Sequence, residues 1–227
     1  MMLFINSNMN ESYEISVTPA SSVVSGKQAW LWDAATGERY KITSSGSIAL
    51  DLGPADLKLF VFDKGKKGPA YHPIQKQAAE VKQVTGTWSV EGKHIDGSVV
   101  TKEMNELKDL KEITDWIKFC GTIVYRNNFM VDDKTKIQWL NLGKVFGVSE
   151  LFVNGINLGA KWYGRRIYDV IESIKEGNNA IEIKIVTVMG NYMKSLTDNK
   201  IAQYWTNEGR KIQPLEPTGL LGPVTFY

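Results

Sequence analysis

Apolar and polar residues alternate with a period of two along much of the chain, as they do in β-strands with one buried face. The alternation is clear over residues 13–17, 48–52 and 181–185, where Tyr, Ile, Leu or Val stands at every second position. Turn-forming pairs such as Thr36-Gly37 and Gly53-Pro54 separate the runs at short intervals. Short strands at close spacing, with few helical segments, predict an all-β protein of sandwich or jelly-roll type.

Two local patterns are more specific than the general alternation. Asn154-Gly155 stands between two apolar runs and predicts a tight type I′ hairpin, because both central residues of that turn need positive φ. Between residues 107 and 117, apolar residues recur every three or four positions, but Thr114-Asp115 interrupts the run. This segment is therefore predicted to be a short helical turn or a docked loop and not a long helix.

A change of composition between residues 63 and 84 predicts the connection between two domains. It begins with the basic, glycine-rich turn at residues 64–69 and continues with little apolar periodicity. We expect residues 1–76 to form a small antiparallel β-sandwich or meander of about five strands. Residues 84–227 are expected to form a second β-sandwich-like domain, so that the whole chain is all-β.

Charge and length exclude several function classes. The chain has 27 basic and 25 acidic residues among 227, and this balance argues against a nucleic-acid partner, which requires clustered Lys and Arg. No apolar run approaches the roughly 20 residues that span a bilayer, so membrane insertion is not expected. A (β/α)₈ barrel typically needs about 250 residues, so a catalytic barrel is not expected within this chain.

Cysteine and histidine usage gives no sign of metal or thiol chemistry. Cys120 is the single cysteine, and its apolar, strand-like surroundings favour a buried inert thiol over a nucleophile, which needs an electropositive setting. His72 and His94 do not have the spacing of metal ligands. No cofactor is predicted from these residues.

Paired carboxyl groups, which glycoside hydrolysis requires on either side of the scissile bond, have simpler interpretations here. Asp132-Asp133 precede Lys134 and resemble a hairpin turn, whereas Asp169 and Glu172 suit the capping of a helical turn. We therefore predict no catalytic residue in this chain and expect it to be non-catalytic by itself.

Two segments carry the residue types that bind sugars, namely aromatic rings for the C–H face and Arg or Asn for the hydroxyl groups. The first, on a predicted loop, offers Trp162, Tyr163, Arg165, Arg166 and Tyr168. The second is the long segment before the last strands, predicted as a loop, with Asn191, Tyr192 and Trp205. The alternatives are that Trp162 and Tyr168 close the edge of the sandwich, and that the long segment covers an exposed sheet edge.

Ordered motifs throughout the chain resemble the C-terminal β-sandwich modules of family 106 glycoside hydrolases, the α-L-rhamnosidases. In the first half, residues 32–38, the strand at residues 48–50 and residues 59–62 (Leu-Phe-Val-Phe) resemble the family's W-D-x-x-T-G and F-V-V-F pattern. In the second half it lies in residues 119–125, 140–143, 151–159 and the Gly-Leu-Leu-Gly-Pro ending at 219–223. The second half is also similar to the galactose-binding-like jelly roll of family 2 glycosidases. The chain differs from the family at two places. Cys120 stands where the family usually has a serine, and residues 163–168 follow Trp162 where the family usually has Pro-Tyr.

The resemblance implies a galactose-binding-like jelly roll over residues 84–227 and an accessory part of an O-glycosyl hydrolase. The family's catalytic acids and calcium ligands lie in a barrel to which no residue of this chain corresponds. The implied partners are carbohydrate or a neighbouring catalytic domain. A structural calcium ion is implied for such jelly rolls, but no acidic cluster assigns its ligands. The resemblance implies export to the periplasm or cell surface, although residues 1–6 do not have the pattern of a secretory signal peptide.

Three hypotheses follow from different classes: a carbohydrate-binding module, a purely structural or interaction module, and a fragment of an active glycosidase whose hydrolase activity lies in another domain. Tryptophan-dependent sugar binding would favour the first, and an exposed apolar docking patch the second.

Overall fold

The protein is described here by a computed structural model that covers residues 1–43, 46–65, 67–72, 81–206 and 208–227. Antiparallel strands make up most of its regular structure, which confirms the all-β prediction. The chain divides into two compact units. The first comprises Met1–Lys76 with Tyr163–Arg165, and the second comprises Gln77–Trp162 with Arg166–Tyr227. The boundaries predicted at residues 76 and 84 flank residues that lie largely outside the described ranges, so they stay predictions.

The first unit contains two antiparallel sheets, ordered β1-β6-β3-β4 and β2-β5. Its elements are β1 (Met2–Ile5), β2 (Tyr13–Val17), the one-turn helix α1 (Ser21–Val24), β3 (Gln28–Trp32), β4 (Arg39–Lys41), β5 (Ile48–Leu52) and β6 (Leu57–Asp63). β6 lies between β1 and β3, and β5 pairs back to β2, so the strand order is not that of a meander, which was one of the two arrangements predicted for this unit.

A small core holds the first unit together. Leu31 and Phe60 face each other across β3 and β6, and they pack in one cluster with Ile42, Ile48 and Leu50. The alternation predicted for residues 48–52 thus corresponds to a half-buried strand. The same pattern at residues 13–17 does form a strand, but Tyr13 and Ile15 are both exposed.

The second unit contains sheets of six, four and two strands, ordered β14-β13-β16-β10-β8-β9, β15-β11-β18-β7 and β12-β17. The strands are β7 (Lys82–Gln83), β8 (Trp88–His94), β9 (Val99–Met104), β10 (Gly121–Val131), β11 (Trp139–Asn141), β12 (Lys144–Phe146), β13 (Val148–Val153), β14 (Ile156–Lys161), β15 (Ile167–Asp169), β16 (Gly177–Val186), β17 (Gly219–Gly222) and β18 (Thr225–Phe226). Its helices are α2 (Gly190–Ser195), α3 (Lys200–Trp205) and α4 (Glu208–Lys211).

One large core lies between the six-stranded sheet and the smaller sheets of the second unit. Ile123 of β10 and Ile183 of β16 belong to the same buried cluster as Leu140 of β11, Leu220 of β17 and Phe226 of β18. A sheet face from each side therefore contributes to one apolar layer, which is the defining feature of a β-sandwich. Cys120 is buried, as predicted.

The two local predictions in the second unit are confirmed. Asn154 and Gly155 have φ of 51° and 81° and connect β13 to β14 in a tight hairpin. The 107–117 segment forms two short 3₁₀ turns, Leu110–Glu112 and Thr114–Trp116, instead of a long helix.

The long segment between β16 and β17 differs from its prediction as a loop, because α2, α3 and α4 form there. They are only four to six residues long, which is too short for a helical period to stand out in the sequence. Among the described residues, no helix is long and apolar enough to cross a membrane.

Candidate functional site

The first predicted sugar-binding segment is divided between the two units. Tyr163–Arg165 belongs to the first unit, whereas Trp162, Arg166 and Tyr168 belong to the second. The stretch was predicted as one continuous loop, but it runs into strand β15 at Ile167. The five candidate residues of this segment therefore belong to two different units and do not form one continuous loop.

Within the first unit, residues 163–165 are held by specific contacts. The Gly164 N–H donates to the Pro54 carbonyl at 3.1 Å. The Arg165 guanidinium donates through Nε and Nη2 to the two carboxylate oxygens of Asp51, each at 3.0 Å. Burial raises the pKa of Tyr163, with smaller contributions from the charges of Asp33 and Asp56. The bidentate ion pair with Asp51 holds the Arg165 guanidinium in place within the first unit.

Within the second unit, Arg166 and Tyr168 are buried. Tyr168 is only 2% exposed, and its hydroxyl lies 3.0 Å from the Ser149 hydroxyl and donates to the Ser149 carbonyl at 3.3 Å. Burial raises the pKa of Tyr168. Arg166 Nη2 donates to the Gly147 carbonyl at 3.5 Å. Tyr168 thus packs in the sandwich core, the alternative that the sequence left open for it.

Trp162 has a different setting, because it follows the last residue of β14 and is 60% exposed. Its indole presents a large apolar surface to solvent. The structure therefore leaves Trp162 as the residue of the first segment whose ring faces solvent most fully.

Asn191 and Tyr192 hold the second segment in place. The Asn191 amide donates to the Glu216 carbonyl at 2.8 Å and accepts from the Glu216 N–H at 2.9 Å. Asn191 is buried. The Tyr192 ring packs edge-on against His94, with centroids 4.9 Å apart. Both side chains connect helix α2 to its surroundings, so their contacts are those of structural residues.

Trp205 lines a groove in the helical segment. It is 55% exposed, and the neighbouring Tyr204, 77% exposed, meets its ring edge-on with centroids 5.7 Å apart. The groove has a volume of about 610 Å³. It is lined by Met189, Gly190, Met193, Lys194, Ile201, Trp205, Thr206, Arg210, Gln213 and Glu216.

Sequence reasoning identified Trp205 but missed the other groove residues. Met189 and Met193 stand four positions apart, as do Ile201 and Trp205, and that spacing places each pair on one face when the segment is helical. The signal was present, but it depended on assigning helices to a segment that was predicted as a loop.

The acidic candidates have local partners. The Asp132 carboxylate accepts from Lys82 Nζ at 2.8 Å, and this contact lowers its pKa. Asp133 accepts from the Thr135 hydroxyl and N–H at the start of a 3₁₀ turn, which lowers its pKa. Asp169 accepts from the Gln138 amide at 3.0 Å. Within the described ranges, no group of three or more His, Cys, Asp or Glu side chains is placed to hold a metal ion.

Comparison with known proteins relates the chain to glycoside hydrolases. No protein-family model matches it. A curated protein of Formosa agariphila named "Putative beta-glucuronidase" is 27% identical over 157 residues, which is 66% of this chain and 13% of that protein. A solved rhamnosidase structure from Novosphingobium sp. PP1Y superposes with a TM-score of 0.67 at 25% identity, covering 99% of this chain and 22% of that one.

A Ruminococcus gnavus beta-glucuronidase structure aligns over 52% of this chain and 22% of its own, at 17% identity and a TM-score of 0.43. That similarity is too low to carry an argument. The chain thus spans less than a quarter of the length of these relatives. It is similar to a part of each of them.

Proposed function

We propose that this chain is a non-catalytic accessory part of a glycoside hydrolase of the α-L-rhamnosidase type. The observation that carries the proposal is the superposition of 99% of the chain on 22% of a rhamnosidase, at 25% identity and a TM-score of 0.67. Nearly every residue of the chain has a counterpart there, so both units correspond to a part of a much larger protein.

The architecture of the second unit supports the same proposal. A six-stranded sheet and a four-stranded sheet enclose one apolar core, the arrangement expected for a galactose-binding-like jelly roll. The Gly-Leu-Leu-Gly motif of the resemblance forms β17, which pairs with β12. We infer that residues 84–227 are a jelly roll of that type, in which this motif builds the two-stranded sheet.

The acidic residues support a non-catalytic role. A glycosidase needs two carboxyl groups about 5 Å, or about 6.5–9.5 Å, apart across one sugar linkage. Asp132 and Asp133 are instead used in an ion pair and a turn, and each has a lowered pKa, which is the opposite of what a general acid needs. Hydrolysis is accordingly assigned to a neighbouring catalytic domain, and carbohydrate or that domain is the proposed partner.

Two measurements test the proposal. The purified chain should give no turnover of p-nitrophenyl α-L-rhamnoside or p-nitrophenyl β-D-glucuronide. Saturable turnover that persists through successive purification steps and is lost in Asp132→Asn or Asp133→Asn would contradict a non-catalytic role.

An immunoblot of the source cells with antibody to this chain separates the alternatives. A band several times heavier than 25.5 kDa would place the chain within an active glycosidase, with hydrolysis in another domain. A band at 25.5 kDa that does not co-purify with any glycosidase would favour a structural or interaction module.

A further inference from the structure

The helical segment between β16 and β17 is fixed on both sides of its groove. The buried Asp109 carboxylate accepts from the Thr218 N–H at 2.9 Å, where the segment rejoins the sheet. Lys194 Nζ on α2 donates to the Gln213 and Pro214 carbonyls, both at 3.1 Å. Together with the paired hydrogen bonds of Asn191 and Glu216, these contacts join the two walls. The groove is therefore a built feature of the segment.

Hydrogen bonds order the backbone on both sides of the groove's exposed tryptophan. Trp205 ends α3, which begins with the Asn199 side chain accepting from the Ile201 and Ala202 N–H groups. Arg210 Nη1 donates to the Trp205 carbonyl at 2.8 Å, and Tyr204 packs against the indole edge. The Trp205 indole, 55% exposed, thus contributes a large aromatic surface to a groove that apolar side chains also line.

The chemistry of the groove combines an apolar interior with polar groups at its rim. Met189, Met193 and Ile201 line it beside Trp205, while the side chains of Gln213 and Glu216 add hydrogen-bonding atoms. The Lys194 ammonium has three N–H donors, and in the described part of the chain two of them are used by the Gln213 and Pro214 carbonyls. One donor is left for a ligand.

A pyranose ring matches these features, because its C–H face packs on an indole while its hydroxyls take directional hydrogen bonds. The volume of about 610 Å³ falls within the ~300–1,000 Å³ typical of small-molecule sites. The methionine and isoleucine side chains favour a sugar whose C6 is a methyl group over one that carries a 6-hydroxyl. A sugar with a methyl group at C6 can bury that group among them, whereas a 6-hydroxyl would be desolvated there.

We propose that the groove between α2 and α4 is a carbohydrate-binding site for 6-deoxyhexopyranosides, with Trp205 as its stacking platform. Among such sugars, the choice of L-rhamnose as the ligand rests on the proposed function. The site lies in the helical segment and not at Trp162, although both tryptophans are exposed.

The test is a ¹H–¹⁵N NMR titration of the full chain with methyl α-L-rhamnopyranoside, which reports affinity and location without relying on tryptophan emission. A sugar of this size is expected to bind with a dissociation constant near ~1 mM. The shifts should be saturable and centred on Gly190, Met193 and Trp205. Methyl α-L-mannopyranoside, which differs only by the 6-hydroxyl, should bind about tenfold more weakly.

Four variants complete the test. Trp205→Ala should weaken binding at least tenfold, and Trp205→Phe by less, because a smaller ring still stacks. Met193→Gln keeps the length of the side chain but makes it polar, so it should reduce the preference for rhamnoside over mannoside. Ile212→Ala, at an apolar residue of the same segment that is exposed and lies outside the groove lining, is the control and should bind normally.

Several outcomes would overturn the proposal. They are no saturable shifts up to about 50 mM sugar, equal affinity for the two glycosides, shifts that cluster around Trp162, or a dimer in light scattering that Trp205→Ala dissociates without any sugar binding. Each of these leaves the glycosidase assignment intact, because that assignment is tested by hydrolysis and native mass. If the glycosidase assignment fails but sugar binding is retained, the chain would be a stand-alone lectin-like module.

Discussion

Gly219 provides a quantitative test of how the second unit is packed. It begins β17 with φ of +92°, a region that L-residues occupy at a cost of roughly 1–2 kcal/mol. A Cβ added there would overlap the Tyr125 hydroxyl oxygen and lie 2.9 Å from Leu110 Cδ1. That hydroxyl accepts from the Leu220 N–H at 3.1 Å, so it cannot move away without breaking a buried hydrogen bond.

Gly97 is the matched control for Gly219→Ala. It stands in the turn between β8 and β9 with φ of +89°, and a Cβ there would meet no described atom within 4 Å. Gly97→Ala should therefore show only the cost of the positive φ, a loss of roughly 1–2 kcal/mol. Gly219→Ala adds overpacking, worth about 1–3 kcal/mol, for a total of roughly 2–5 kcal/mol.

Urea unfolding followed by tryptophan fluorescence measures both free energies. In a Tyr125→Phe background the overlapping oxygen is absent, so the additional cost of Gly219→Ala should fall by about 1 kcal/mol, as expected for residues in contact. Equal losses for Gly219→Ala and Gly97→Ala, within about 0.5 kcal/mol, would refute the packing described around Leu110 and Tyr125.

Three further predictions follow from buried groups. Burial raises the pKa of Tyr125, with a smaller contribution from the Asp109 charge. The contribution of Tyr125 to the free energy of unfolding should therefore be fully present below the ordinary tyrosine pKa of about 10 and should decrease as pH rises above it. If the urea midpoint of Tyr125→Phe falls just as much over that pH range, the decrease does not come from Tyr125. Burial also raises the pKa of the Cys120 thiol, so a thiol reagent should label it in denaturant and not in the native protein. Asn191→Ala leaves two Glu216 backbone groups without their partner and should cost about 2 kcal/mol, with faster hydrogen exchange at the Glu216 amide; unchanged exchange would argue against that pairing.

The parts of the fold that sequence predicted depend on local rules. Asn154-Gly155 could be assigned to a hairpin because positive φ at two successive residues is a property of those residues themselves. The alternation at 181–185 likewise became the central strand β16, with Ile181 and Ile183 in the core. The same alternation at 13–17 formed a strand with an exposed face, because burial depends on what packs against a strand and not on its own period.

The candidate site was predictable only in part for the same reason. Tyr168 and Trp205 are both aromatic residues in polar surroundings, yet one is in the core and the other faces solvent. What separates them is the pairing of β15 with β11, a contact distant in sequence. Met193 was invisible as a groove residue because its role depends on a short helix whose stability comes from tertiary contacts such as that of Asn191.

The glycosidase assignment is tested most directly by immunodepletion of extracts from the source cells, with antibody raised against this chain. If the chain is an accessory part of a rhamnosidase-type enzyme, the antibody should remove aryl α-L-rhamnosidase activity together with the immunoreactive band. An unrelated glycosidase activity in the same extract should be unaffected. Complete removal of the band with undiminished rhamnosidase activity would contradict the assignment.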